Sequence, residues 1–129
     1  VVSEDFGPGK EKRFHRSKGY DIFNDRLKFV ILVNEGSASA SEILAGALKE
    51  HGLAKLVGTK TFGKGSVQEL VPVTSNTKIK ITVAKWVTPD GTTISEGGLT
   101  PDYEVKVTRE DAEKGNDPQF DKALEILRQ

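Results

Sequence analysis

The strongest constraint on the fold is a strand, a helix and a second strand that follow one another in the first half of the chain. The run "KFVILVN", Lys28 to Asn34, is continuously apolar and rich in β-branched residues, which predicts a strand buried on both faces. The run "AKLVG", Ala54 to Gly58, predicts a second strand. Between them, "SEILAGALKEHG" ends at Gly52 and repeats apolar residues at the spacing of one helix face: Ile43, Leu44, Ala47 and Leu48. This order predicts a βαβ unit and an α/β fold.

The remaining segments predict a hairpin or loop, two half-exposed strands and a terminal helix. Residues 1–19 are polar and predict a solvated hairpin or loop. The stretches "SVQELVPV" and "KIKITVAKWVT" alternate apolar and polar residues, and "TSNT" between them and "TPDGT" after them predict turns. Asp117 is predicted to cap a helix that begins at Pro118 and has one apolar face: Phe120, Ala123, Leu124 and Leu127.

The composition excludes several kinds of function. The formal net charge of the 129 residues is zero, so no overall electrostatic argument favours binding to nucleic acid or to an anionic membrane. The absence of cysteine excludes disulfides, thiolate metal ligands and a cysteine nucleophile. His15 and His51 are too few and too far apart to predict a metal site, and we expect no cofactor. The chain begins with Val1 and contains no methionine, so we expect a fragment of a longer protein.

The stretch "GTKTFGKGSVQ", Gly58 to Gln68, raises the question of what Lys64 serves. Gly58, Gly63 and Lys64 have the spacing of a phosphate-binding loop. That loop requires Ser or Thr directly after the lysine, where this chain has Gly65. It should also lead into the N-terminus of a helix, whereas the residues that follow here predict a strand. The pattern therefore disfavours a nucleotide site.

The stretch "GSASASE", Gly36 to Glu42, lies between the predicted strand and helix and has two interpretations. Ser39 and Glu42 fit the S-x-x-E pattern of a helix capping box, which is a purely structural role. The same position suits a nucleophile, because the N–H groups of a first helical turn have no partner within the helix and can stabilise an oxyanion. The pattern alone leaves both roles open.

A serine nucleophile needs a base that takes its proton. His15 lies in a polar segment, and His51 lies at the far end of the predicted helix, so neither histidine is well placed. A lysine can serve when it is neutral, which burial or a nearby positive charge favours. The neighbours Phe62 and Val67 are predicted to bury the amine of Lys64, so Lys64 more plausibly serves Ser39 than a nucleotide.

The residues "FVILVNEGSASASEILAGALKEHGLAKLVGTKTFGKGSVQ" strongly resemble the catalytic core of the carboxyl-terminal processing, or tail-specific, serine proteases. The later stretch "KITVAKWVTPDGTTISEGGLTPDYEV" resembles the segment of that family that closes in a Gly-hydrophobic-x-Pro-Asp pattern. The resemblance covers Tyr20 to Val105 and rests on two linked motifs at matched spacing. It implies an α/β protease core of the crotonase-like type.

The resemblance also implies roles for four residues. Ser39, the middle serine of the S-A-S-A-S run, is the implied nucleophile, and Lys64 of F-G-K-G is the implied general base. Gln68 would orient the lysine. The two would lie about 13 Å apart in a straight strand, so we expect either a bend at Gly65 or a side chain that reaches across from neighbouring backbone. The backbone N–H of Ala40 would form part of the oxyanion hole.

The resemblance further implies a serine endopeptidase that works outside the cytoplasm, as in a periplasm. Its substrates would be proteins that are unfolded or carry an apolar C-terminal tail. The family's second oxyanion donor and its PDZ-like domain have no counterpart in this sequence. We therefore expect a partial catalytic core: a hairpin or loop (1–19), a core with the catalytic residues (20–105) and a linker with a helix (106–129).

Such a piece alone would be folded but inactive, or its copies would exchange segments and form a homo-oligomer. The alternative function is a non-catalytic module on the same fold that binds a ligand or a protein.

Overall fold

The computed structural model describes residues 1–19, 27–95 and 97–129. Tyr20, where the expected core begins, lies outside these residues. The described parts of the chain form two sheets and three helices. In chain order the elements are β1 (Val2–Asp5), β2 (Arg13–His15), β3 (Val30–Val33), α1 (Ala40–Glu50), β4 (Lys55–Gly58), β5 (Ser66–Pro72), β6 (Lys78–Val87), β7 (Tyr103–Glu104), α2 (Arg109–Lys114) and α3 (Pro118–Arg128).

A parallel sheet with the order β3-β4-β7 contains the predicted βαβ unit. Strands β3 and β4 pair in parallel from Val30 opposite Lys55 to Val33 opposite Gly58, and α1 connects them. Helix α1 ends at Glu50, and Gly52 follows with a φ of 69°, which favours glycine. The predicted α/β class and the order strand, helix, strand are confirmed.

The core of this unit lies between the parallel sheet and α1. Val33, Ala45, Leu56 and Leu99 form a buried cluster against which Ile31 packs. Side chains alternate along a strand, so Leu32 lies on the opposite face, toward α3. That face is only partly covered and Leu32 is 41% exposed. The prediction that this strand is buried on both faces is therefore wrong for the described residues.

The second sheet has the order β2-β1-β6-β5 with antiparallel pairs throughout. Strands β5 and β6 are the two predicted half-exposed strands; they pair across the predicted turn at residues 74–77, and their ends near that turn are exposed. Residues 1–19 form the expected hairpin, but they are not fully solvated. Val2, Ser3 and Glu4 are buried because β1 pairs with β6.

The terminal helix begins as predicted. The carboxylate of Asp117 accepts a hydrogen bond from the Phe120 N–H at 2.9 Å, and Pro118 is the first helical residue. Helix α3 packs against β3 and β4 and buries Ala123. Phe120 is 51% exposed, so it lies at the margin of the packed face rather than within it.

One helix was not predicted, and one predicted core residue of α1 is exposed. Helix α2 lies in the segment expected to be a linker, and Thr108 caps it by accepting from the Asp111 N–H. The Thr108 hydroxyl and then the Thr108 N–H lower the pKa of the Asp111 carboxyl. Leu44 is 53% exposed, so it does not belong to the buried face of α1.

None of the helices described is both long and apolar enough to cross a bilayer.

Replacing Leu56, which is fully buried, by alanine is expected to lower the free energy of unfolding by about 2–5 kcal/mol, because the cavity left in the cluster collapses only in part. Urea unfolding of the protein measures the change. The matched control is Leu44→Ala on the exposed side of α1, for which we expect less than about 1 kcal/mol. Equal losses at the two positions would contradict the assignment of the core.

Candidate active site

Ser39 occupies a strained turn between β3 and α1. Its φ is 57° and its ψ is −117°, and among the described residues it is the only one besides glycines with a positive φ. Such a backbone conformation costs about 1–3 kcal/mol and persists only where the surroundings enforce it. A sharp turn from strand to helix also exposes the side chain at its apex, which is a recurrent way to present a nucleophilic serine.

The predicted capping box is present, and its two halves differ in strength. The carboxylate of Glu42 accepts a hydrogen bond from the Ser39 N–H at 2.9 Å. The Ser39 side chain lies toward the Glu42 N–H, which is the other half of the box, but without the geometry of a full cap hydrogen bond. The serine backbone is thus fixed to the helix, while the hydroxyl is not held by a cap bond.

Glu42 also holds the loop that carries Lys64. Its side chain is fully buried. One carboxylate oxygen accepts from the Thr61 hydroxyl and from the Gly63 N–H at 2.7 Å. The other accepts from the Ser39 and Lys64 N–H groups, each at 2.9 Å. The two backbone nitrogens therefore lie no farther apart than twice that distance, and the residues predicted as nucleophile and base are neighbours.

Close backbone packing holds the Lys64 loop from its other side. A Cβ atom on Gly65 would lie 2.4 Å from the Ser95 nitrogen, and one on Gly63 would lie 2.8 Å from the Gly98 nitrogen. Gly63 also has a φ of 88°. Side chains do not fit at these positions, so the glycines on either side of Lys64 are required by the contact between the two loops.

The loop before Ser39 is tied to the same region. The Phe62 N–H donates to the Ser37 carbonyl at 3.0 Å, and the Ser37 hydroxyl accepts from the Asn34 N–H at 3.1 Å. The Thr59 hydroxyl donates to the Glu35 carboxylate at 3.0 Å. The backbone N–H of Glu35 and then the Thr59 hydroxyl lower the pKa of this carboxyl, which favours the ionised acceptor that the contact needs.

The side chain of Lys64 is exposed, contrary to the expectation that Phe62 and Val67 would bury it. Phe62 is itself 66% exposed and Val67 is only half-buried. The physical reason is that this loop packs through the backbone of its glycines and the buried Thr61 side chain, while the side chains of Phe62 and Lys64 lie outward. Within the described ranges, the Lys64 ammonium forms no hydrogen bond and no ion pair.

Gln68 lies on β5, beyond the expected bend. The Gly65 N–H donates to the Gly63 carbonyl at 3.1 Å, which turns the backbone sharply just before the strand. The Gln68 side chain is exposed and forms no hydrogen bond with Lys64 in this structure. Its orienting role therefore stays a prediction.

The backbone N–H of Ala40 has no hydrogen-bond partner within the residues that the structure describes. Ala40 is the first residue of α1 and is exposed next to Ser39. A free N–H beside the serine, at the positive end of the helix dipole, is suited to hold an oxyanion.

The structure disfavours a nucleotide at Lys64. Lys64 is followed by Gly65 and the strand β5, not by a helix, so a phosphate-binding loop is not formed. The described residues contain no group of three or more His, Asp or Glu side chains that could hold a metal ion.

The contacts of Glu42 beyond the helix cap, and those of Thr61, were not predicted from the sequence. The S-x-x-E pattern indicated only a cap for α1. The glycines that flank Lys64 and the pair Gly97-Gly98 were a usable signal, because such glycines often mark close contact between backbones.

A serine at the start of a helix, with a lysine loop fixed beside it, is an arrangement that suits a hydrolase, and comparison with known proteins finds peptidases. The model of peptidase family S41 matches residues 1–105. The carboxy-terminal-processing protease of Bartonella bacilliformis is 46% identical over 93 residues, which cover 72% of this chain and 21% of that protein. The chain belongs to peptidase family S41, and the predicted resemblance is confirmed.

Two further relatives support this membership. A probable CtpA-like serine protease of Staphylococcus epidermidis is 48% identical over 109 residues, covering 84% of this chain and 22% of that protein. The solved structure of a photosystem II D1 C-terminal processing protease matches with a TM-score of 0.56 and 44% identity, covering 60% of this chain and 20% of that one. The chain thus spans only about a fifth of the length of these relatives.

Gly65→Ala is expected to lower the free energy of unfolding by about 1–3 kcal/mol, because the added methyl group overlaps the Ser95 backbone. Thermal or urea unfolding measures the loss. Gly36→Ala is the control, since φ is not positive there either and the nearest contact is a side-chain oxygen of Asn34 at 3.2 Å. The loop contact would be refuted by a Gly65 variant as stable as the Gly36 variant.

Proposed function

We propose that the complete protein containing this chain is a serine endopeptidase of the carboxyl-terminal processing type. Ser39 is the nucleophile, Lys64 the general base, Gln68 the residue that orients the lysine, and the Ala40 N–H one donor of the oxyanion hole. The observation that carries the proposal is the shared Glu42 oxygen, which fixes the Ser39 and Lys64 backbones side by side at a strained turn.

The reaction proceeds in two halves. The Ser39 hydroxyl oxygen attacks the carbonyl carbon of the scissile peptide, and neutral Lys64 accepts the hydroxyl proton. The oxyanion that forms accepts a hydrogen bond from the Ala40 N–H. Lys64 then gives its proton to the leaving amine, and the carbon–nitrogen bond breaks. Water attacks the acyl-enzyme, Lys64 takes a proton from it, and the released serine recovers that proton.

This role requires more of the protein than the present chain. Lys64 is exposed here, and a lysine base works best in a site that excludes water. The chain spans about a fifth of its relatives, and we propose that other parts of the complete protein cover Lys64 and the exposed Phe62. The chain is then part of a crotonase-like catalytic core, with residues 20–105 carrying the site and 106–129 a linker and a helix.

The substrates proposed for the complete protein are unfolded proteins or proteins with an apolar C-terminal tail. A second oxyanion donor and a PDZ-like recruiting domain would lie outside this chain. The proposed location is extracytoplasmic, and assembly into a homo-oligomer that completes the sheets is part of the same proposal.

Ser39→Ala and Lys64→Ala are each expected to lower kcat of the complete protein by about 10⁴-fold or more, because removal of either member of a nucleophile–base pair disables the pair. Cleavage of an unfolded protein with an apolar tail measures the loss, and circular dichroism checks that each variant folds. Ser41→Ala, at an exposed position in the same helical turn, is the control and should retain activity. If the Ser39 and Lys64 variants both still cut while folded, Ser39 is only a cap residue.

The cleavage rate is expected to rise with pH, since Lys64 must lose its proton before it can accept one from Ser39. The measurement is kcat/KM from acid to alkaline pH, with chemistry shown to limit the rate by single-turnover experiments. A rate that does not change over this range would exclude lysine as the base.

A serine-directed acylating probe separates the enzyme from the alternative, a binding module on the same fold. The enzyme is expected to be labelled at Ser39, found by mass spectrometry of the digested protein, and Lys64→Ala should slow the labelling. An unlabelled Ser39 in the folded complete protein would favour the binding module.

A further inference from the structure

We propose that Glu42 and Thr61 are positioning residues, which set the distance between the nucleophile and its base without touching the substrate. This proposal rests on the proposed Ser39–Lys64 chemistry and goes beyond it. The relevant unit, here called the carboxylate clamp, consists of Glu42, Thr61 and the three backbone N–H groups that Glu42 accepts: those of Ser39, Gly63 and Lys64.

Both carboxylate oxygens of Glu42, which form the centre of the carboxylate clamp, have hydrogen-bond donors. Glu42 is fully buried, and each of its carboxylate oxygens accepts two hydrogen bonds. A buried carboxylate is tolerated only when donors compensate for the lost hydration, and here four of them do. All four come from the strained turn and from the lysine loop, so the carboxylate favours one arrangement of these two segments.

Thr61 extends the clamp to a third segment. Its hydroxyl donates to Glu42 and accepts from the Leu99 N–H at 2.7 Å. Thr61 is 5% exposed, so water cannot easily replace either partner. The Leu99 backbone follows the segment that packs on Gly63 and Gly65. The Thr61 hydroxyl therefore links the lysine loop to α1 on one side and to the Leu99 segment on the other, and these two bonds set the orientation of the lysine loop.

Positioning matters here because neither reacting residue is fixed by its own side chain. The Lys64 ammonium has no partner within the described ranges, and the Ser39 hydroxyl forms no cap bond. Instead, the backbone N–H groups of Ser39 and Lys64 both donate to the same carboxylate oxygen of Glu42, and this contact fixes the two residues. A misplacement of about 1 Å between reacting groups can lower a rate by about 100-fold. Loss of the carboxylate clamp should therefore lower kcat strongly and leave KM nearly unchanged.

The test compares Thr61→Val with Thr61→Ser in the complete protein. Valine keeps the shape of threonine and removes the hydroxyl, whereas serine keeps the hydroxyl. We expect Thr61→Val to lower kcat by at least about tenfold with KM changed less than about twofold. Thr61→Ser should stay within about threefold of the wild type.

Acylation of Ser39 by a serine-directed probe provides the second readout. The final extent of labelling counts the folded sites, and the labelling rate reports how well Lys64 is placed. For Thr61→Val we expect full labelling at a rate reduced in step with kcat. A role in stability alone would lower the extent of labelling or the melting temperature and leave the rate per folded site unchanged.

Glu42→Gln is the second variant, in case Thr61→Val does not fold. Its amide group has the size of the carboxylate but offers only one acceptor oxygen, so two of the four donors lose their partner. The same selective loss of kcat is expected.

Four outcomes would overturn the proposal. Two concern kinetics: folded Thr61→Val or folded Glu42→Gln keeps the wild-type kcat, or the loss appears in KM alone. The other two are that Thr61→Ser is as impaired as Thr61→Val, and that neither Thr61→Val nor Glu42→Gln folds.

Ser39→Ala in the same assay distinguishes failure of the proposed function from failure of the positioning role alone. If Ser39→Ala retains activity, the proposed function fails, whatever the clamp variants do. If Ser39→Ala is inactive and folded Thr61→Val is as active as the wild type, only the positioning role fails.

Discussion

The buried carboxylate of Glu42 is the interaction on which the site depends. Four donors converge on two oxygens that have no contact with solvent. A partly satisfied buried carboxylate would be strongly destabilising, so the four contacts are expected to form or break together. This couples the first turn of α1 to the Lys64 loop, and the strained backbone of Ser39 is held by a contact that also fixes the lysine.

The fold provides the frame that makes this contact possible. Strand β3 leads into the turn at Ser39, and strand β4 leads into the lysine loop. Because β3 and β4 are parallel neighbours, both connections leave the sheet at the same edge. Ligand and catalytic sites of parallel sheets commonly lie at this edge. The cluster of Val33, Ala45, Leu56 and Leu99 beneath it keeps α1 and the loop of Leu99 in place.

Local patterns predicted much of this frame and little of the clamp. The periodicity of Ala47 and Leu48 and the cap at Asp117 act within one or two helical turns, so the sequence shows them directly. The bond from Lys64 to Glu42 joins residues 22 positions apart, and no local pattern specifies it. The exposure of Leu32, Leu44 and Lys64 was predicted wrongly for a related reason, since burial depends on segments that pack from elsewhere in the chain.

The central claim is that the clamp places a serine nucleophile beside a lysine base. The most direct measurement is the distance between the Ser39 hydroxyl oxygen and the Lys64 side-chain nitrogen in a crystal structure of the complete protein, with the four Glu42 contacts resolved. The account predicts about 2.6–3.2 Å, or one bridging water, with Lys64 covered by other parts of the protein. A Lys64 side chain that extends into solvent away from Ser39, with the Glu42 contacts intact, would contradict it.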